Sequence, residues 1–325
     1  MTNDIDIKEN DILKRSPELL NNLLKDQTLS ANDECHNIFW ATHDYEDLGD
    51  EYNYYAEIKS EYISGKNGTI IKPRIVKSTT NQTQRKKDKA EVFTPAWVCN
   101  AQINLIDESF FQRKNVFNTE INKNNSHSWR TNKKKIKFPD CKDWTDYVKD
   151  TRLEITCGEA PYITSRYDTT SGQPIEIEDR IGVLDRKLRV VSENTKTIED
   201  YIHWSKIAYQ NVYGYEWQGD NLLLARESML YTFIDYYQAK FNQEPQFQYL
   251  IDICDIITWN VFQMDGLRGV IPDSCGERKT QDLFYVTINK CMGCQNGNIL
   301  QHNGIYCKVK DWETDKQIRF IDLIK

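Results

Sequence analysis

The feature that narrows the fold most is an alternation: three short apolar segments, each set off from the next by helical periodicity. Arg152–Thr156 runs into a Cys157-Gly158 turn, Asn211–Glu216 is a second extended segment, and Ile257–Gln263 is a third that ends at Met264-Asp265-Gly266. Between them, Ile198–Gln210, Asp220–Lys240 and Gln248–Ile256 carry apolar residues at helical spacing. Strand, helix, strand, helix, strand predicts an α/β architecture with a parallel sheet covered on both faces. Ligands of such sheets sit at the carboxyl ends of the strands. The sequence places Gly158, Glu216 and Asp265 there. A carboxylate at the second strand end can accept from both hydroxyls of a ribose, and one at the third can accept from an exocyclic amine. The glycine turn lets backbone approach the ligand without a Cβ clash. Each residue alone has a plainer reading, Glu216 as a surface acid and Asp265-Gly266 as a turn. Their order and spacing together point to a nucleoside site.

Composition excludes several classes. No apolar run reaches the ~18 residues of a membrane span, and Met1–Asn10 is polar, unlike a signal peptide. Nine cysteines, an odd number scattered from Cys35 to Cys307, do not suggest a secreted disulfide framework, so reduced thiols and a cytoplasmic location are expected. The 42 basic and 49 acidic residues give a net charge of −7, whereas a protein that grips duplex DNA alone usually shows a basic face. The basic runs are short. Arg85–Lys89 and Lys133–Lys135 read as solvated loops or local phosphate contacts, and Arg186–Arg189 as a solvated strand edge or a site for phosphates or a partner's acids. If DNA is a substrate, much of the grip is expected from another polypeptide. Eight tryptophans and 18 tyrosines argue against disorder. No phosphate-binding Gly-x-x-x-x-Gly-Lys loop is present, and His43, His127 and His203 have no cysteine or serine at nucleophile spacing.

Three regions follow. Residues 1–75 form an N-terminal extension: a helical arm or frayed terminus with an amphipathic stretch at Ile12–Leu24, then an aromatic and acidic lid or docking segment at 34–65. Residues 76–273 carry the alternation, preceded by a predicted helix at Ala96–Phe111, where Asp107-Glu108 read as surface charges, and an exposed loop at 118–137. Residues 274–325 hold Cys291, Cys294, His302 and Cys307, a C-x₂-C-x₇-H-x₄-C spacing that suits structural tetrahedral zinc, with Cys275 as a substitute ligand. The competing reading is a hairpin with reduced core cysteines and a surface histidine.

Four segments also resemble a known family. Glu91-Val-Phe-Thr-Pro95 resembles motif X of the amino-methyltransferases of restriction–modification systems. Glu154-Ile-Thr-Cys-Gly-Glu-Ala-Pro-Tyr162 looks like their motif I, Val212–Glu216 with Asp220-Asn221 and Ala225-Arg226 is similar to motif II and its helix, and Ile257–Leu267 resembles motif III. They lie in the family's order over roughly residues 85–270. The resemblance implies a Rossmann-like S-adenosylmethionine (SAM) sheet, incomplete within this chain. It places Phe93, Thr94 and Pro95 near the methionine end, Glu154 in the motif I turn, Cys157 and Gly158 beneath the cofactor, Glu216 on the ribose and Asp265 on the adenine amine. The chain departs from the pattern at Glu154 (usually Asp), Ile155 (usually Pro) and Ala160 (usually Gly), where a methyl is tolerated at negative φ.

The larger departure is the catalytic Asn/Asp-Pro-Pro-Tyr/Phe motif: the eight prolines include no adjacent pair. That motif grips the extruded base, its polar side chain and a carbonyl accepting from the adenine amine and its aromatic ring stacking on the base. Val309–Lys325 resembles the stretch that leads into this motif in full-length relatives. The resemblance therefore implies half of a split adenine-specific DNA methyltransferase of a restriction–modification or phage-defence system. A second polypeptide would supply the Asn-Pro-Pro-Tyr-type motif and target recognition, and DNA would be bound through the complex. The alternatives are an inactive, methyltransferase-like binding or regulatory subunit, and a methyltransferase for a non-DNA substrate.

Overall fold

Apolar residues recur at intervals of three and four over long stretches while extended runs stay short, so helices carry most of the architecture. The computed structural model describes residues 5, 7, 9–30, 34–89, 94–124, 126–281 and 286–323. The elements up to the central sheet are α1 (Glu9–Arg15), α2 (Pro17–Leu24), α3 (Ser60–Ile63), α4 (Thr79–Lys89), α5 (Ala96–Phe111), β1 (Asn118–Lys123), β2 (Ser126–Thr131), α6 (Trp144–Lys149) and β3 (Arg152–Glu154). Then follow α7 (Val183–Asn194), α8 (Ile198–Gln210), β4 (Val212–Glu216), α9 (Gly219–Phe241), α10 (Phe247–Asn260) and β5 (Val261–Gln263). The C-terminal part contains β6 (Arg278–Gln281), β7 (Val286–Asn289), α11 (Met292–Asn296), β8 (Lys308–Asp311) and β9 (Lys316–Arg319).

The protein is a mixed α/β molecule with small sheets. β3, β4 and β5 pair in parallel in that order, Glu154 beside Gly214 and Glu216 beside Gln263. Parallel neighbours need long crossovers. α7 and α8 fill the first connection, α9 and α10 the second. The remaining paired strands are antiparallel: β1 with β2, β6 with β7, β8 with β9.

Nearly every residue of α9 from Gly219 to Tyr237 is buried, as expected of a helix that is apolar around most of its circumference. Its first residue is glycine because a Cβ there would meet the Phe39 carbonyl oxygen at 2.2 Å. Arg226, fully buried on α9, donates to the carbonyls of Val261, Leu23 and Lys25, tying β5 to the end of α2. The N-terminal extension is accordingly docked rather than frayed: Leu19, Leu20, Leu23 and Leu24 are fully buried, and α2 packs on α9 and α10.

Several sequence expectations are corrected. The third strand begins at Val261, not Ile257: an apolar run buried on all sides carries no period of its own, and α10 continues to Asn260. The Asn260 amide then donates to the carbonyls of Tyr209, Gln210 and Val212, marking the turn into the sheet. β1 and β2 pair antiparallel where an exposed loop was expected, and Trp129 and Thr131 on β2 bond Asp179. Arg85 is not solvated, since α4 buries it against Asp44 and Asp220. Arg186 and Lys187 lie buried in α7, not at a strand edge or a phosphate site. Arg186 pairs with Asp107, which is buried too, and Lys187 donates to the carbonyls of Val148, Asp150 and Asn211. No helix among the described residues is long and apolar enough to cross a membrane.

Candidate nucleoside cavity and metal centre

The loop after β3 is shaped by one carboxylate. Glu154 accepts from the backbone N–H groups of Tyr162 (3.3 Å) and Ile163 (3.1 Å), closing residues 155–163 into a turn. Thr156, Gly158 and Ala160 all take left-handed backbone, with φ of 46°, 56° and 57°. Glycine adopts this freely. Ala160 does not, so the negative φ that would make its methyl harmless is not realised, and the conformation costs on the order of 1–2 kcal/mol. Its carbonyl accepts from Ile163 and Thr164, which offsets the strain.

At the tip of β4, Glu216 reaches across to this loop. Its carboxylate accepts from the N–H of Gly158 (2.9 Å) and from that of Gln218 (3.3 Å). Burial raises the Glu216 carboxyl and these N–H donors oppose the rise. Burial, reinforced by Glu216 and opposed by its two backbone donors, pushes Glu154 up to about 8.

A cavity of about 1000 Å³ opens beside these groups. That is the upper end of the roughly 300–1,000 Å³ of small-molecule sites. Thr94, Glu154, Cys157, Gly158 and Glu216 line it together. Pro95 caps α5, and Asp265 is not among the lining residues. The Asp265 carboxylate is turned into its own loop, accepting from the N–H groups of Leu267 and Arg268 and pairing with the Arg268 side chain at 3.1 Å. Phe93, with Glu91 and Val92, lies outside the described residues. Sequence reasoning missed Trp217, Tyr54 and Lys87, which also line the cavity. Trp217 directly follows Glu216, Tyr54 belongs to the aromatic segment at 34–65, and Lys87 to the basic run at 85–89; tertiary packing brings all three to the cavity.

The second site is a cluster. Cys275, Cys291, Cys294 and His302 bring their ligand atoms within 4.8 Å of one another and can hold a metal ion. The Cys275 thiol lies 3.2 Å from that of Cys291 and 3.5 Å from that of Cys294, and the three sulfurs stand 3.3, 3.5 and 3.6 Å from His302 Nδ1. Gly293 is required, since a Cβ there would meet His302 Nδ1 at 2.7 Å. Burial opposes ionisation of Cys291, but the N–H groups of Cys294 and Asn303 bring its thiol down to about 6. Cys307 is not part of the cluster. Its N–H bonds the Gly269 carbonyl, which directs the side chain into an apolar group with Tyr215, Phe262 and Met264, and its thiol donates to the Gln263 carbonyl. Cys275 takes the fourth position instead.

Comparison with protein-family models, curated proteins and solved structures found no match to this chain.

Proposed function

We propose that this chain is the SAM-binding subunit of a DNA adenine N6-methyltransferase whose Asn-Pro-Pro-Tyr-type motif and target recognition reside on a second polypeptide. The observation that carries the reading is the bond between Gly158 N–H and the Glu216 carboxylate at 2.9 Å. It joins the loop after β3 to the tip of the adjacent parallel strand β4, on the wall of a cavity large enough for a nucleoside. Thr94, from the motif X-like segment, lines the same cavity. In this reading Glu216 holds the ribose, Gly158 and Cys157 lie beneath the cofactor, Glu154 holds the motif I loop in shape, and the flat indole of Trp217 is the surface available to the purine. Asp265 then positions its own turn rather than the adenine amine.

The partner reading is supported by the edge of the sheet. β3 is an outer strand of the three-stranded sheet; Leu153 within it is 46% exposed and Ile155 just after it 63%, both at the mouth of the cavity. The outward backbone N–H and C=O groups of an outer strand are a template for pairing with a strand of another chain. SAM supplies an activated methyl group; this chain's residues orient it, and the extruded base is brought in line by the partner.

The metal we assign to Cys275, Cys291, Cys294 and His302 is zinc, in a structural role. Three sulfurs and one imidazole form a closed tetrahedral set with no position left for substrate.

The deciding experiment is calorimetry of the chain with SAM, followed by a DNA methylation assay with and without the neighbouring gene product. Binding of one SAM, with methylation only in the presence of the second polypeptide, is expected. Absence of SAM binding at millimolar concentration overturns the cofactor assignment. Binding without methylation in any combination favours an inactive regulatory subunit, and methylation by the chain alone overturns the split.

A further inference from the structure

The metal cluster and the cavity are joined by a short chain of bonds. Cys275 stands two residues after Asp273, whose carboxylate accepts from the Tyr54 hydroxyl at 2.7 Å. The same hydroxyl accepts from the Trp217 indole N–H at 3.0 Å. Tyr54 and Trp217 both line the cavity. The Trp217 backbone is fixed from the other side, its carbonyl accepting from Gln263 at 2.8 Å. At the metal end, Ser274 donates to the Ile271 carbonyl and accepts from Ile305 N–H, and a Cβ on Gly304 would meet Cys275 Cβ at 2.9 Å. Segments 271–275 and 302–306 are therefore pressed together at the cluster.

We propose that metal bound at Cys275, Cys291, Cys294 and His302 positions the Tyr54–Trp217 wall of the cavity through Asp273, making those two aromatic residues positioning elements under metal control. Without an ion, no coordinate bond ties Cys275 to Cys291, Cys294 and His302, and the 271–275 turn loses that anchor. Metal sites commonly couple to local order in this way. Asp273 holds a left-handed backbone at φ 55°, a conformation that persists where its surroundings impose it. With the turn unanchored, the Asp273 carboxylate no longer fixes the direction of the Tyr54 hydroxyl, and the hydroxyl's bond from the Trp217 indole loses its orientation.

The inference rests on the zinc reading and is independent of SAM. Its test is amide hydrogen exchange on the full chain, zinc-loaded and chelator-treated, with bound zinc counted in each sample. Chelation should accelerate exchange about fivefold or more not only in 268–276 but also in 39–56 and 215–219. In Asp273→Ala, zinc content should stay at the wild-type level while 39–56 and 215–219 exchange fast with or without metal. A chain that holds one zinc but shows acceleration confined to 268–307 overturns the coupling and leaves the zinc reading intact. A chain that retains no zinc overturns both.

Discussion

Asp220→Asn should destabilise the protein by about 3–5 kcal/mol, the usual cost of breaking a buried ion pair from one side. Asp220 is fully buried near the start of α9 and accepts from Tyr45 Oη (2.8 Å), Lys77 Nζ (3.0 Å) and Arg85 Nη1 (3.0 Å). Burial alone would raise its carboxyl, but Arg85 and Lys77 hold it well below the usual carboxylate range. Asparagine preserves the shape and removes the charge, leaving two buried cations with Asp44 as the remaining anion against Arg85. With an unfolding entropy of about 2.1 cal/mol/K per residue over this chain, the loss corresponds to a fall in Tm of about 4–7 °C. Differential scanning calorimetry at pH 7 reads it directly. The depressed pKa adds a second check. Stability contributed by this carboxylate is present above its unfolded value, near 3.8, and is lost as pH falls through the lower folded value. The gap between wild type and variant should therefore stay constant from pH 8 to pH 5 and close only in stronger acid. A fall in Tm below about 2 °C, or a gap that closes already at pH 5, would refute the role given to this network.

Other expected outcomes bear on the two sites. Glu216→Ala should weaken SAM binding by roughly 10-fold or more, since a hydrogen bond to a charged group contributes about 1.5–3 kcal/mol; an unchanged Kd in calorimetry removes Glu216 from the site. Glu154 sits above its unfolded value, so its contribution to stability is present below about pH 4.5 and is lost as pH rises toward 8. Glu154→Gln should consequently gain on wild type across that window by up to about 4–5 kcal/mol, and parallel denaturation profiles for the two proteins from pH 5 to 8 would contradict it. Cys275→Ser should lose bound zinc whereas Cys307→Ser keeps it, as counted by metal analysis of the purified proteins; equal loss in both would return Cys307 to the ligand set.

Long periodic segments were legible because burial of one face leaves its period in the sequence. Ala96–Phe111 and Ile198–Gln210 match the observed helices residue for residue. α9 was legible from its apolar content, starting one residue before the expected span and ending one after it. Buried charged residues were misread where the partner lay far along the chain. Arg186 and Asp107 are 79 residues apart, and Arg85 and Asp220 are 135 apart. A lysine or arginine next to other charges looks solvated until the acid that neutralises it is brought in by another helix. The β1–β2 pair escaped for a related reason: its outward faces are polar, so no alternation between apolar and polar residues marks it.

Asp265, which stands outside the cavity lining, and Cys307, which stands outside the metal cluster, share a cause that sequence spacing does not encode. Each stands within a few residues of the expected chemistry, yet the direction of its side chain is set by backbone pairing with a distant segment. Asp265 N–H bonds the Val270 carbonyl and Cys307 N–H bonds the Gly269 carbonyl, so both belong to one small crossing of chain segments at the end of β5. Successive residues of extended chain face opposite ways, and a change of one position in pairing exchanges inside for outside. That crossing turns Asp265 onto its own loop and Cys307 into the apolar core, and brings Cys275 forward from the turn after Ile271. The same backbone bonds thus fix which acid stays out of the cavity and which cysteine joins the metal cluster, so exchanging the roles of Cys275 and Cys307 would require re-pairing Gly269 and Val270.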